Sequence, residues 1–307
     1  MKKVILVISS AFALGFWSEV SAESFGCPKP YSSHNPMSAT SFAKTYGGTG
    51  WDVASSVQQT SDGGYIVAGY TGSFGAGGGD IFLIKTDANG NIQWAKTYGG
   101  IGYDYALSVQ QTSDGGYIVA GGTYSFGASW SYYFFLIKTD ANGNIIWAKT
   151  YGGAGDDVAS SVQQTSDGGY IVAGFTESFG AGGAFLVKTD ANGNIIWAKT
   201  YGGTSYASSV QQTSDGGYIV AGWTSSLEDL DDIILIKTDA NGNIIWAKTY
   251  RGIGNDWAYS VQQTSDGGYI VAGRKGSFEE VGDIFLIKTD ADGNIGSCSI
   301  VQNANPT

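Results

Sequence analysis

Side chains able to do acid–base or metal chemistry are scarce in this chain. His34 is the only histidine, and Cys27 and Cys298 are the only cysteines. A Ser-His-Asp triad or a multi-histidine metal centre therefore cannot be assembled beyond residue 34, and two lone cysteines make no zinc site. Paired carboxylates are the one hydrolytic arrangement left open, with Glu23, Glu177, Glu228, Glu279 and Glu280 as glutamates for a glycosidase. Such a pair needs acid and base converging from unlike surroundings. Here the repeating units are nearly identical, so the chain reads as a non-enzyme, with a carboxylate-dependent glycosidase as the lesser alternative.

Two oxygen-rich stretches invite a calcium reading. Asp87, Asn89 and Asn91 begin like a calcium loop, but the glycine comes fourth rather than sixth and no acid occupies the bidentate position. A hairpin turn explains them better. Gly75-Ala76-Gly77-Gly78-Gly79-Asp80 approaches a calcium-binding nonapeptide, yet such sites need adjacent tandem copies and these lie some fifty residues apart. No metal or cofactor is expected.

The elements that must carry these residues are repeats. TSDGGYIVAG occurs at 60–69, 112–121, 165–174, 213–222 and 264–273. Each unit holds four short apolar or alternating runs separated by glycine-bearing turns, which predicts four strands, in the first unit at 54–60, 65–71, 80–86 and 91–98. Asp62, Asp114, Asp167, Asp215 and Asp266 are read as turn residues in tight hairpins. IFLIKTD and NIQWAKTY carry large apolar residues on both strand faces, as a sheet sandwiched between neighbours requires. Trp94, Trp147, Trp197 and Trp246 then pack between sheets, and Asp52, Asp104, Asp157 and Asp256 tie loops to a neighbouring blade.

Five such units predict an all-β, five-bladed propeller of four-stranded antiparallel blades over residues 39–301. SFAKTYGG at 41–48 matches a fourth strand with no third strand before it, and the fifth unit's own fourth strand is degenerate. Residues 40–47 are therefore expected to pair with 283–289 and close the ring. The motifs DGGYIVAG and LIKTDANGNIxWAKTYGG resemble a repeat widespread in secreted bacterial and archaeal propeller-type proteins, over residues 40–295. That resemblance implies an exported propeller and carries no catalytic residues.

Residues 1–22 read as a cleavable export signal: Lys2 and Lys3, an apolar run from Val4 to Trp17, then Val20-Ser21-Ala22. No later run is long enough to span a membrane. Residues 23–38 form a linker and 302–307 a tail, and the protein is placed outside the cytoplasm, whether secreted, periplasmic or at the cell surface. Loss of Lys2, Lys3 and Glu19 takes the formal charge from −11 to −12, which repels nucleic acid. Export also favours a disulfide between Cys27 and Cys298, which flank the proposed closure.

Comparison of the five units separates two faces. Turns between strands one and two and between three and four hardly vary, whereas the other connections differ in length and chemistry. The varied face carries Trp51, Tyr103, Tyr105, Trp130, Tyr132, Tyr133, Trp223 and Trp257, with Glu228, Asp229, Asp231, Glu279 and Glu280 beside Arg274 and Lys275. Trp51, Tyr103, Tyr105, Trp130, Tyr132, Trp223 and Trp257 are the candidate ligand contacts. Aromatic rings beside carboxylates suit a glycan or a surface protein. A binding or scaffold module acting as a monomer is the expected function, with a structural cell-surface spacer as the alternative.

Overall fold

The computed structural model describes residues 41–127, 131–203, 205–225, 230–252, 254–276, 282–296 and 301–303. Blade 1 is built from β1 (Asp52–Gln59), β2 (Tyr65–Thr71), β3 (Asp80–Thr86) and β4 (Ile92–Tyr98). Blade 2 contains β5 (Asp104–Gln111), β6 (Tyr117–Thr123), β7 (Tyr133–Thr139) and β8 (Ile145–Tyr151). Blade 3 contains β9 (Asp157–Gln164), β10 (Tyr170–Thr176), β11 (Gly183–Thr189) and β12 (Ile195–Tyr201). Blade 4 contains β13 (Ser205–Gln212), β14 (Tyr218–Ser225), β15 (Asp231–Thr238) and β16 (Ile244–Tyr250). Blade 5 contains β17 (Trp257–Gln263), β18 (Tyr269–Lys275) and β19 (Asp283–Thr289), and β20 (Val301–Asn303) follows it. Every blade is an antiparallel meander, so the five-bladed propeller read from the repeats is the fold.

Local chemistry sets the hairpins. In the first turn the Thr60 amide donates to Gly64 O at 2.9 Å and the Gly63 amide to Thr60 O at 2.9 Å. Gly63 sits at φ 82°, which an L-residue adopts only at a cost. Asp62 accepts from the Thr60 hydroxyl at 2.5 Å and the Gly64 amide at 3.0 Å, holding the turn as expected. It also accepts from Lys85 Nζ at 2.8 Å, a partner not anticipated. Lys85, Lys138, Lys188 and Lys237 are buried, and each reaches the turn aspartate of its own blade at 2.8–2.9 Å. These lysines therefore staple the third strand under the first hairpin.

Blades bury their faces against one another. Ile66, Ala68, Ile81 and Leu83 of blade 1 form one core with Val109, Tyr117, Val119, Phe135 and Ile137 of blade 2. Each large side chain so buried contributes roughly 1.5–3 kcal/mol. Trp94 meets the edge of Tyr117 at 5.8 Å, and the arrangement repeats at Trp147–Tyr170, Trp197–Tyr218 and Trp246–Tyr269, confirming these tryptophans as packing residues. Side chains also clasp successive inner strands. Gln58 Oε1 accepts from the Gln111 amide at 2.6 Å, Ser56 Oγ from the Val109 amide at 3.2 Å, and Gln111 Oε1 from the Ser61 amide at 2.8 Å.

The ends depart from the closure expected from the sequence. Among the described residues β19 pairs with β18 alone, and residues 41–48 form no ladder with it. The segment lies instead on blade 1, where Tyr46 OH donates to Gly90 O at 2.6 Å and Lys44 Nζ to Asn91 Oδ1 at 2.6 Å. At the other terminus β20 adds to the outer edge of β16, opposite Lys248, Thr249 and Tyr250, and gives blade 4 a fifth strand. Both flanking segments thus pack on sheets other than blade 5, whose outer edge stays unpaired among the described residues. Cys27 and Cys298, the proposed disulfide, lie outside the described residues.

Candidate functional site

The varied connections gather at one end of the blades, and there the first and second strands of successive blades bring aromatic rings into contact. Tyr206 faces Trp223 across the β13–β14 ladder, and Trp257 faces Arg274 across β17–β18. Phe175 of β10 stacks on Tyr206 at 4.0 Å between centroids, and Tyr206 on Trp223 at 3.9 Å. Trp223 then meets Trp257 at 6.0 Å, and the Arg274 guanidinium lies 5.1 Å from the Trp257 ring centre. A ladder of four rings capped by a cation therefore runs across blades 3, 4 and 5. Its rings are half-buried.

Carboxylates brace the ladder. Asp231 accepts from Trp257 Nε1 at 2.7 Å and from the Ser225 hydroxyl at 2.8 Å. Burial, and then the nearby charges of Glu177 and Asp231, raise the Tyr206 phenol above its ordinary value. A second cluster stands on blade 2, where Tyr132 meets Tyr105 at 5.6 Å and Tyr124 at 5.1 Å. Burial, with lesser contributions from Tyr132 and Asp156, pushes Tyr105 up to about 12. Tyr103 is half exposed beside the blade 1 loop, and Trp51, at the leading edge of blade 1, is 83% exposed.

The structure thus joins Trp223 to Trp257 and Tyr105 to Tyr132, and leaves Trp51 and Tyr103 outside those stacks. Phe175, Tyr206 and Tyr124 were missed by the sequence reading, although each occupies a varied position. One expectation changes: Tyr206 is sandwiched between Phe175 and Trp223, and Trp257 stands tilted beside Trp223, so the ladder offers fewer free flat faces than separate rings would. Trp130, Glu228, Asp229, Glu279 and Glu280 lie outside the described residues. Glu177 is exposed, and its Oε2 accepts from the Asp156 amide at 3.3 Å.

Aspartates beneath this face hold its loops. Asp104 is fully buried, accepting from Gly100 N at 2.9 Å, from the Ser125 hydroxyl at 2.6 Å and from the Thr123 hydroxyl. Asp52 and Asp157 repeat the arrangement. These partners lie in the aspartate's own blade and in the connection that arrives from the preceding blade, so each carboxylate ties that incoming connection to the loop after its own second strand. The Asp87 carboxylate accepts from the Asn89 and Asn91 amides, both at 2.8 Å, and from Asn91 Nδ2 at 2.8 Å, which makes that stretch a hairpin turn.

Asp80 differs from its blade 4 counterpart Asp232. Arg251 Nε lies 3.0 Å from Asp232 Oδ2, whereas glycine, Gly99, stands at the place of Arg251 in blade 1. Burial, with Asp104 adding repulsion and the Ala76 amide offsetting part, pushes Asp80 up to about 6. Native Asp80 therefore keeps its proton across pH 4 to 6 while the unfolded chain has lost it, so its contribution to stability is present below pH 4 and lost as pH rises through 6. Asp80→Asn should remove this dependence. The difference in melting temperature, wild type minus variant, should fall between pH 4 and 6.5, and parallel curves would contradict the assignment.

Solved structures that resemble this fold include two proteins of unknown function. A protein of unknown function from Bacteroides caccae is 12% identical, with TM-score 0.50 over 81% of this chain and 84% of its own. A protein of unknown function from Dyadobacter fermentans DSM 18053 is 13% identical, with TM-score 0.52 over 78% and 79%. At such identity the likeness is one of fold. No curated protein matches in sequence. The family model described as holdfast attachment protein D matches residues 33–303, and the chain belongs to that family.

Proposed function

We propose that the chain is an exported, non-enzymatic binding module of the cell surface that holds a glycan or a surface protein on the varied face of its propeller. The observation that carries this reading is the aromatic ladder from Phe175 to Arg274, built from positions that differ between otherwise near-identical blades. The family's description as a holdfast attachment protein supports a role in surface adhesion. Residues 1–22, with their basic start and small-residue end, support export.

The stacking of the rings on one another favours a second reading, a structural spacer whose aromatics only stiffen the blades. A glycan array followed by titration of the best ligand separates the two. Trp257→Ala and Trp223→Ala should each weaken binding by about 2 kcal/mol, the cost of losing a buried anchor, while Asn89→Ala on the uniform face leaves affinity intact. A ligand sensitive to Asn89 and indifferent to both tryptophans would place the site elsewhere. Absence of any glycan or surface-protein ligand would favour the spacer.

A further inference from the structure

Several large apolar side chains left in solvent stand at the two ends of the blade series. Phe42, Trp51, Val53 and Val57 lie on the leading side of blade 1, and Ile284 and Leu286 on the trailing side of blade 5. Ile284 and Leu286 are 91% and 71% exposed, whereas Ile81 and Leu83 at the same places in blade 1 are 3% and 0%. Val57 is 66% exposed, against 6% for its counterpart Val109. Trp51 follows the same logic: its counterpart Tyr103 packs beside Gly78 and bridges to Gly79 of the preceding blade.

These end faces are copies of faces that already fit each other inside the chain. The glutamine clasp made by Gln58 on Gln111 recurs from Gln110 to Gln164, Gln163 to Gln212 and Gln211 to Gln263. Gln262 on blade 5 and Gln59 on blade 1 are the two halves of a fifth clasp. The space in front of blade 1 also has its outer strand in place. Tyr46 to Gly90 and Phe42 against Tyr65 reproduce Tyr98 to Gly143 and Trp94 against Tyr117, so residues 41–48 sit as the fourth strand of a blade preceding blade 1. What is missing there is a three-stranded sheet with an open outer edge. Blade 5, β17-β18-β19, is such a sheet among the described residues.

We propose that a second copy of the chain fills this place: blade 5 of one molecule docks on blade 1 of the next and takes that molecule's residues 41–48 as its fourth strand. The two end faces of one molecule are both exposed as the chain stands. Bringing them together within one chain would change the angle at the internal interfaces, whose cores are already close-packed. A second copy repeats an existing interface unchanged. The contact is heterologous, head to tail, and replaces the monomer expected from the sequence. Trp51 belongs both to this docking face and to the candidate ligand contacts, so the interface borders the varied face.

Sedimentation velocity of the chain from residue 23, over a range of concentrations, tests it. Wild type should form dimers or longer head-to-tail species. Leu286→Lys and Val57→Lys, both at exposed positions, should each be monomeric with unchanged circular dichroism. Mixing the two variants should restore a one-to-one dimer, because each keeps the face that the other lacks. A monomeric wild type would mean closure within one chain and overturn the proposal. Variants that stay associated, or a mixture that stays monomeric, would overturn it as well.

Discussion

Replacing Asp104 by alanine is expected to destabilise the protein by about 3–4 kcal/mol, since the Gly100 amide and the Thr123 and Ser125 hydroxyls lose their acceptor at a fully buried carboxylate. The carboxylate is fully buried and joins Gly100, Thr123 and Ser125. It therefore fixes the connection into blade 2 and the one leaving β6 at once. Asp87→Ala, in an exposed turn, serves as the comparison and should cost clearly less. Chemical denaturation monitored by tryptophan fluorescence reads both. Equal losses for the two variants would show that Asp104 is not the tie its contacts indicate.

Gly174→Ala should be at least as damaging, at about 3 kcal/mol or more, through overpacking against rigid backbone. A Cβ there would stand 2.0 Å from Val158 O and 2.9 Å from the Phe185 ring. Neither neighbour can retreat: one is strand backbone, and the other belongs to the core between blades 2 and 3. Gly168→Ala is the instructive contrast. That glycine has open space around it and is held only by its φ of 82°, so alanine should cost about 1 kcal/mol. Thermal melts that rank the two the other way would refute this account of the repeat.

Much of the architecture was legible because its causes are local. The strands expected at 65–71 and 80–86 are β2 and β3 as found, since glycine turns and β-branched runs mark their limits. Asp62 was readable as a turn residue for the same reason. Lys85 was not, because a lysine ordinarily points to water, and its burial depends on the turn of another hairpin coming to rest above it. The ladder was half legible. Trp223 and Trp257 stood out by type, but their stacking with Phe175 and Tyr206 depends on register, and the shift between Ala207 and Ser209 breaks the simple alternation of faces along β13. The placement of the chain ends was the least legible, because copies of one unit offer several equivalent docking positions.

That sameness of the blade-to-blade contacts has a consequence for how the molecule comes apart. Each blade leans on its nearest neighbours through one recurring set of cores and clasps, so cohesion is a sum of near-equal links along a line rather than the property of one shared centre. The inner blades have two such links and the end blades, as they stand, have one. Disorder therefore enters by fraying from either end, and blade 3, furthest from both, is the last to lose its structure.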